Sequence, residues 1–181
     1  MKQIELISAA NAAVTVTSVP AEIGDLTNYS IELAFGTLPA VNGTAKMQAS
    51  NDAVTWIDIP SSSQAIAIGD PHMWNVTAAG YKYARVVFTP TKDTALNYTS
   101  TGAGPYTATV TKSAHGMSNG MTVILSGGSD ADINGTYVIA GVAPTTFEVT
   151  TVGNPGSGTA NMIGAGSLTA KLVIKEPTNR Q

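Results

Sequence analysis

Apolar and polar residues alternate with a period of two along much of the chain, and a 3.6-residue recurrence is hard to find. Tyr29, Ile31, Leu33 and Phe35 stand at every second position, with small or charged residues between them. A strand there buries those four on one face. Ala45-Lys46-Met47-Gln48-Ala49 repeats the pattern with Lys46 and Gln48 outward, and Thr55-Trp56-Ile57-Asp58-Ile59 follows until Pro60 and three serines stop it. Residues 81–89 make the longest strand candidate, ended by Pro90. Residues 167–175 alternate again, placing Leu168, Ala170, Leu172 and Ile174 inward. Strands at this spacing with turn residues between them predict an antiparallel sandwich or barrel.

The middle of the chain reads differently. From about Asp93 to Ile163 charge nearly vanishes while Gly and Thr rise. Thinner strands are predicted at 106–110, 121–125, 136–139 and 146–150. Asn119-Gly120, Ser126-Gly127-Gly128-Ser129 and Asn134-Gly135 supply turns between them. Thr101–Pro105 and Gly153–Gly158 flank the unit like hinges. Residues 1–92 lack a closing strand, and 165–181 supply one. The expected organisation is therefore all-β: an antiparallel sandwich of 1–92 plus 165–181, interrupted by a small β module at 93–164. Loop-closure cost grows slowly with length, so an exposed turn accepts such an insertion. One continuous ten-strand sandwich is the alternative.

Composition narrows the function. Charged residues make up 12% of the 181, about half the usual share. Helices with solvated faces need more charge than that, whereas strands rich in Thr, Val and Gly do not. A formal charge of −3 without a Lys/Arg cluster gives no electrostatic reason to bind nucleic acid. The absence of cysteine removes disulfides, thiolate metal sites and thiol nucleophiles together. Met1–Ile7 does not read as a signal peptide, because Glu5 breaks a short apolar run, and no stretch approaches the roughly 18 apolar residues of a membrane span. A soluble protein made in a cytoplasm, with no membrane partner, is expected.

Two segments resemble known families. Met47-Gln48-Ala49-Ser50-Asn51-Asp52-Ala53-Val54-Thr55-Trp56-Ile57-Asp58-Ile59-Pro60 is similar to the QxSNDGxxWxxI hairpin of discoidin-like sandwiches. That hairpin, followed by a GYRYVRV-type strand, recurs in virion proteins of tailed bacteriophages. Here the strand is Gly80-Tyr81-Lys82-Tyr83-Ala84-Arg85-Val86-Val87, and Ala53 stands where the pattern has Gly. The middle segment resembles a module of phage tail and adhesin proteins, with the runs HGLSxGDxVxISG, NGTYxV and TTFxV. It reads His115–Gly127, Asn134–Ile139 and Thr145–Val149 here, with Met121 in place of the common Asp. The resemblance implies a jelly-roll or discoidin-like sandwich and a place on a virion rather than a chemistry.

Candidate chemistry is thin. Asp130, Asp132 and Asn134 open a D-x-D-x-N-G calcium loop, but Gly141 stands where a bidentate Glu is required. A polar turn is the better reading. His72 and His115 lie far apart and are too few for a zinc site; His115 is expected in one local hydrogen bond, and His72, in a loop beside Trp74, as a surface contact along with it. No G-x-S-x-G elbow is present, and the scattered acids do not suggest a paired-carboxylate glycosidase. No catalytic residue, metal or cofactor is therefore assigned. Among the aromatics, Trp56 is expected as a wedge between sheets, with Tyr29, Tyr81 and Tyr83 packed on strands. Trp74, beside His72 in a loop-like Pro71–Asn75 segment, is the expected surface contact.

The expectation is a non-enzymatic virion structural protein, assembled in the bacterial host cytoplasm, most simply a capsid decoration or head-auxiliary protein. Its partners would be other virion proteins (the major capsid protein or tail components) and further copies of itself. A tail, fibre or baseplate protein contacting the host surface, or a carbohydrate-binding adhesin module with a host-surface glycan as ligand, are the alternatives.

Overall fold

The computed structural model describes residues 2–26, 28–77 and 80–174 and is an all-β fold of antiparallel sheets. Met1, Lys175 and the remaining C-terminal residues assigned to the sandwich lie outside the described residues. The chain runs through β1 (Lys2–Asn11), β2 (Val16–Thr17), β3 (Ala21–Glu22), β4 (Asn28–Phe35), β5 (Gly43–Ser50), β6 (Ile57–Asp58), β7 (Gln64–Ile66), β8 (His72–Thr77) and β9 (Tyr83–Pro90). It continues through β10 (Asp93–Thr101), β11 (Tyr106–Thr111), β12 (Thr122–Ser126), β13 (Gly135–Val138), β14 (Ala140–Ala143), β15 (Thr146–Thr151), β16 (Ser157–Gly164) and β17 (Ser167–Ile174).

These strands build three sheets. A four-stranded sheet has the order β1-β17-β4-β8, and a six-stranded sheet the order β2-β9-β5-β6, with β3 also on β9 and β7 on β5. Both contribute to one apolar cluster. Its members include Ile31, Leu33, Leu168 and Leu172 from the first sheet, and Met47, Val86 and Phe88 from the second. The period-two reading holds in both, since Tyr29, Ile31 and Leu33 are buried on β4, and Ala45, Met47 and Ala49 on β5. The late strand β17 lies between β1 and β4, with Leu172 opposite both Ile4 and Ile31. It joins the two ends of the chain in one sheet.

Residues 93–164 form the third sheet, of seven strands in the order β13-β12-β16-β10-β11-β15-β14. Only Ile139 separates β13 from β14, and this bent segment pairs with β12 at one end and β15 at the other. The sheet is thereby nearly closed into a barrel. A second cluster fills it, including Tyr98, Leu125, Ile133, Phe147 and Met162.

The expected hinges are a correction. Thr101 ends β10 and leads through a short turn into β11, while Ser157 and Gly158 belong to β16, which runs between β12 and β10. The glycines misled because Gly-rich sequence was read as linker, whereas at Gly158 a Cβ would lie 1.8 Å from Ser129 Oγ. The Ser129 and Tyr98 side chains close over the strand there, so Gly158 is a packing position and not a turn. The chain passes between sheets instead at Thr91–Lys92 and Ala165–Gly166. That second passage is tightly seated. Ala40 N donates to Ala165 O (3.2 Å), Ala165 N to Thr122 O (2.9 Å) and Ala12 N to Gly166 O (2.9 Å). A Cβ on Gly164 would stand 1.8 Å from Ala40 O.

Candidate functional site

The most organised cluster of polar and aromatic side chains lies on the outer face of the six-stranded sheet, around the β5–β6 hairpin. Its loop is locked by its own side chains. Asp52 Oδ1 accepts from Ser50 Oγ (2.8 Å) and from the backbone N–H groups of Val54 (2.8 Å) and Thr55 (2.7 Å). Ser50 Oγ in turn accepts from Asp52 N (3.2 Å) and Ala53 N (2.9 Å). The Thr55 and Val54 N–H groups, followed by Ser50, hold the Asp52 carboxyl well below the usual carboxylate range. Ala53 takes a left-handed φ of 58°, which explains why the resembled hairpin has Gly there.

The loop delivers Trp56 to the surface. Its Nε1–H donates to Ala53 O (3.2 Å), and the Arg85 guanidinium lies over its ring, 4.1 Å from the centroid. Gln48 pairs with both Arg85 on β9 and Asp58 on β6 in the ladder. Alternation therefore puts all three on the outer face, where a chain of bonds links them. Arg85 Nε donates to Gln48 Oε1 (2.7 Å), Gln48 Nε2 to Asp58 Oδ1 (2.8 Å) and Lys46 Nζ to Asp58 Oδ2 (2.7 Å). Hydrogen bonds from Lys46 and then Gln48 lower the Asp58 pKa, and partial burial lowers that of Arg85.

Trp56 is thus a correction, half-buried outside both apolar clusters rather than wedged between sheets. Trp74 is the converse correction. It lies on β8, not in a loop, and is only 7% exposed. Its Nε1–H donates to Ser62 O (2.8 Å), and a ring so enclosed offers no docking surface. His72 lies edge-on to it, 4.6 Å between ring centres, and is partly buried.

The other candidates serve local structure. His115 is buried in the barrel, where Nδ1 accepts from Met117 N (3.1 Å) and Nε2–H faces Ala143 O (2.8 Å) and Thr146 O (3.3 Å). One ring ties the 113–121 loop to the β14–β15 turn, and its partners select the Nε2–H tautomer. Met121, in the usual Asp position, receives Ser118 N–H on its sulfur (3.3 Å). Asp130 caps the 3-10 turn Ala131–Ile133 by accepting from Asp132 N (2.9 Å), and Asn134 Oδ1 accepts from Gly128 N (2.8 Å). Among the described residues no three His, Asp or Glu side chains gather as a metal site. The clefts are shallow. One of about 420 Å3 at the passage between sheets, beside Ala9, Leu38, Thr122 and Ser167, has no titratable side chain among its lining residues. Another of about 290 Å3 lies beside Ser50, Asp52, Thr55, Ile57 and Tyr81.

No family model matches the chain, and no curated protein does. Among solved structures, the PBSX exported protein XepA is similar over 96% of this chain and 86% of its own, at 9% identity and a TM-score of 0.34. A likeness that faint carries no function across.

The sequence reading passed over Arg85. The signal was present in the alternation, which sets Arg85 outward two residues after Tyr83 and opposite Gln48. What could not be read was the partner across the loop. Trp56 reaches Arg85 only because the Asp52 turn folds the hairpin back over the sheet.

Proposed function

We propose that the chain is a virion structural protein of the tailed-bacteriophage kind, a capsid decoration or head-auxiliary protein that acts by binding rather than catalysis. In this reading 1–92 with 165–181 form a discoidin-like or jelly-roll host sandwich, and 93–164 form an inserted module that projects from it. The observation that carries it is the folding of the two phage-like motif sets. The Met47–Pro60 hairpin and the 80–87 strand meet as β5, β6 and β9 of one sheet, and the His115, Asn134 and Thr145 runs meet in the barrel. Ser50 and Asp52 in one motif set, and His115 and Asn134 in the other, are held in turns and latches, which favours a scaffold that presents surfaces. The partners are the shell protein and further copies of this chain.

Locating the chain in electron micrographs of intact particles, together with its abundance relative to the major capsid protein, tests the assignment. Density spread over the shell at a fixed ratio to capsid subunits is the expected result. A few copies confined to the tail or baseplate would transfer the protein to the host-contacting class, and absence from the particle would end the virion reading.

A further inference from the structure

We propose that the outer face of the six-stranded sheet, centred on Arg85 over Trp56, docks onto a carboxylate-bearing surface of a partner protein. The guanidinium is fixed on two sides, by the Trp56 ring at 4.1 Å and by the Nε–H bond to Gln48 at 2.7 Å. Gln48 is itself fixed through Asp58 and Lys46. Among the described residues no carboxylate reaches ion-pair distance of Arg85. Asp58 is taken by Lys46, and Glu22, opposite Tyr83 on the same face, does not reach it. A planar fork of donors is thus held in one orientation with its charge uncompensated, in a chain whose net charge is −3. Such a fork matches a carboxylate in bidentate geometry, and its ordering cost is already met by the fold.

The surroundings favour a protein over an acidic glycan. Val54, two residues before Trp56 on the same hairpin, is 81% exposed. Arg and Trp beside an exposed aliphatic side chain are the composition of an interface hot spot. A saccharide site needs spare amide and hydroxyl groups, yet the Gln48 amide is engaged at both ends and Asp52 Oδ1 takes three bonds from its own turn. The surface rests on the virion reading only for which protein supplies the carboxylate.

The full-length protein, labelled with 15N, is titrated with a Glu-rich peptide and with the same peptide carrying Gln for Glu. The expected result is a shift of the Trp56 indole and Arg85 Nε–H signals by the Glu peptide alone. Arg85→Gln should weaken it roughly tenfold or more while still melting cooperatively within a few degrees of the parent, and Arg85→Lys should recover only part. Equal shifts by the Gln peptide, binding unaffected by Arg85→Gln, or tighter binding of a uronic-acid polysaccharide would each overturn the proposal. Co-sedimentation with particles lacking the chain separates the two readings. Parent protein that takes the peptide but not the particle sinks the virion assignment alone, and equal particle binding by Arg85→Gln sinks the surface alone.

Discussion

Tyr29 buries its hydroxyl without a recipient among the described residues: the side chain is 3% exposed and no hydrogen-bond partner for its oxygen is found there. A buried hydroxyl without a partner costs its full desolvation, so Tyr29→Phe should be neutral or stabilising by about 1 kcal/mol in denaturant unfolding. Burial also pushes the phenol up to about 12. The unfolded phenol ionises near 10, so the neutral-phenol contribution is intact below that pH and is lost as pH rises from about 10 towards 12. The parent should lose stability through that window more steeply than Tyr29→Phe, and equal slopes would show that the hydroxyl is solvated. The two tryptophans make a second contrast. Trp74→Ala removes a ring from the shared core and strands Ser62 O, and should cost about 3–5 kcal/mol. Trp56→Ala loses mainly the stack with Arg85, about 1 kcal/mol or less, measured in the same titration. Sequence assigned these two the other way round for a physical reason. Flanking Pro71 made β8 look like loop, and the alternating run around Trp56 looked like a long strand. In fact β6 is only Ile57–Asp58, because the Asp52 turn holds the residues before it off the ladder.

Among the elements, strands with a strict two-residue alternation were legible: β4, β5, β11, β15 and β17 each bury the face that their sequence names, whereas β9 buries Ala84, Val86 and Phe88 and turns Tyr83, expected to pack inward, to the outer face. β10 and β16 were not. Asp93–Thr101 and Ser157–Gly164 carry small and hydroxyl residues, and their large inward side chains are few, so their pairing is decided by neighbours rather than by a local pattern. The turns split the same way. His115, Asp130 and Asn134 stood out as polar punctuation, but which carbonyls His115 would bridge depends on strands that follow it by more than twenty residues. The β5–β6 connection offers a test at this scale. Ala53 holds the left-handed position of that turn, φ 58°, with its N–H on Ser50 Oγ. An L-residue with a Cβ is strained there by roughly 1–2 kcal/mol, partly offset in glycine by its larger unfolded-state entropy. Ala53→Gly should therefore raise the unfolding free energy by about 0.5–1 kcal/mol without altering the Trp56 indole signal. A loss of stability would mean that the hairpin is held by the Asp52 bonds so firmly that the backbone strain is immaterial.

At the scale of the molecule, the proposed division into sandwich and module makes a demand on the seam between them. Among the described residues, the barrel cluster recruits only two side chains from outside 93–164, buried Ala40 and partly buried Ile68, and the sandwich cluster takes none from within it. Joining Lys92 to Gly164 through a short Gly/Ser linker should therefore leave the sandwich core whole. β17 would still lie between β1 and β4, and Ala40 N could still reach Ala165 O. What is lost is the cover over Ala40 and Ile68 and the bond from Ala165 N to Thr122 O. Burial of one aliphatic side chain is worth about 1.5–3 kcal/mol, so the shortened chain should melt cooperatively at a lower temperature than the parent, β-rich by circular dichroism and monodisperse. Closing the shorter loop works in the opposite direction, because a connection of a few residues costs less entropy than one of seventy. Aggregation with a broad, non-cooperative transition would show that the seam does more than join. The small glycine-dependent contacts at Gly164 and Gly166 would then have to be counted as part of one continuous core, and the barrel as a wall of the sandwich rather than a module set upon it.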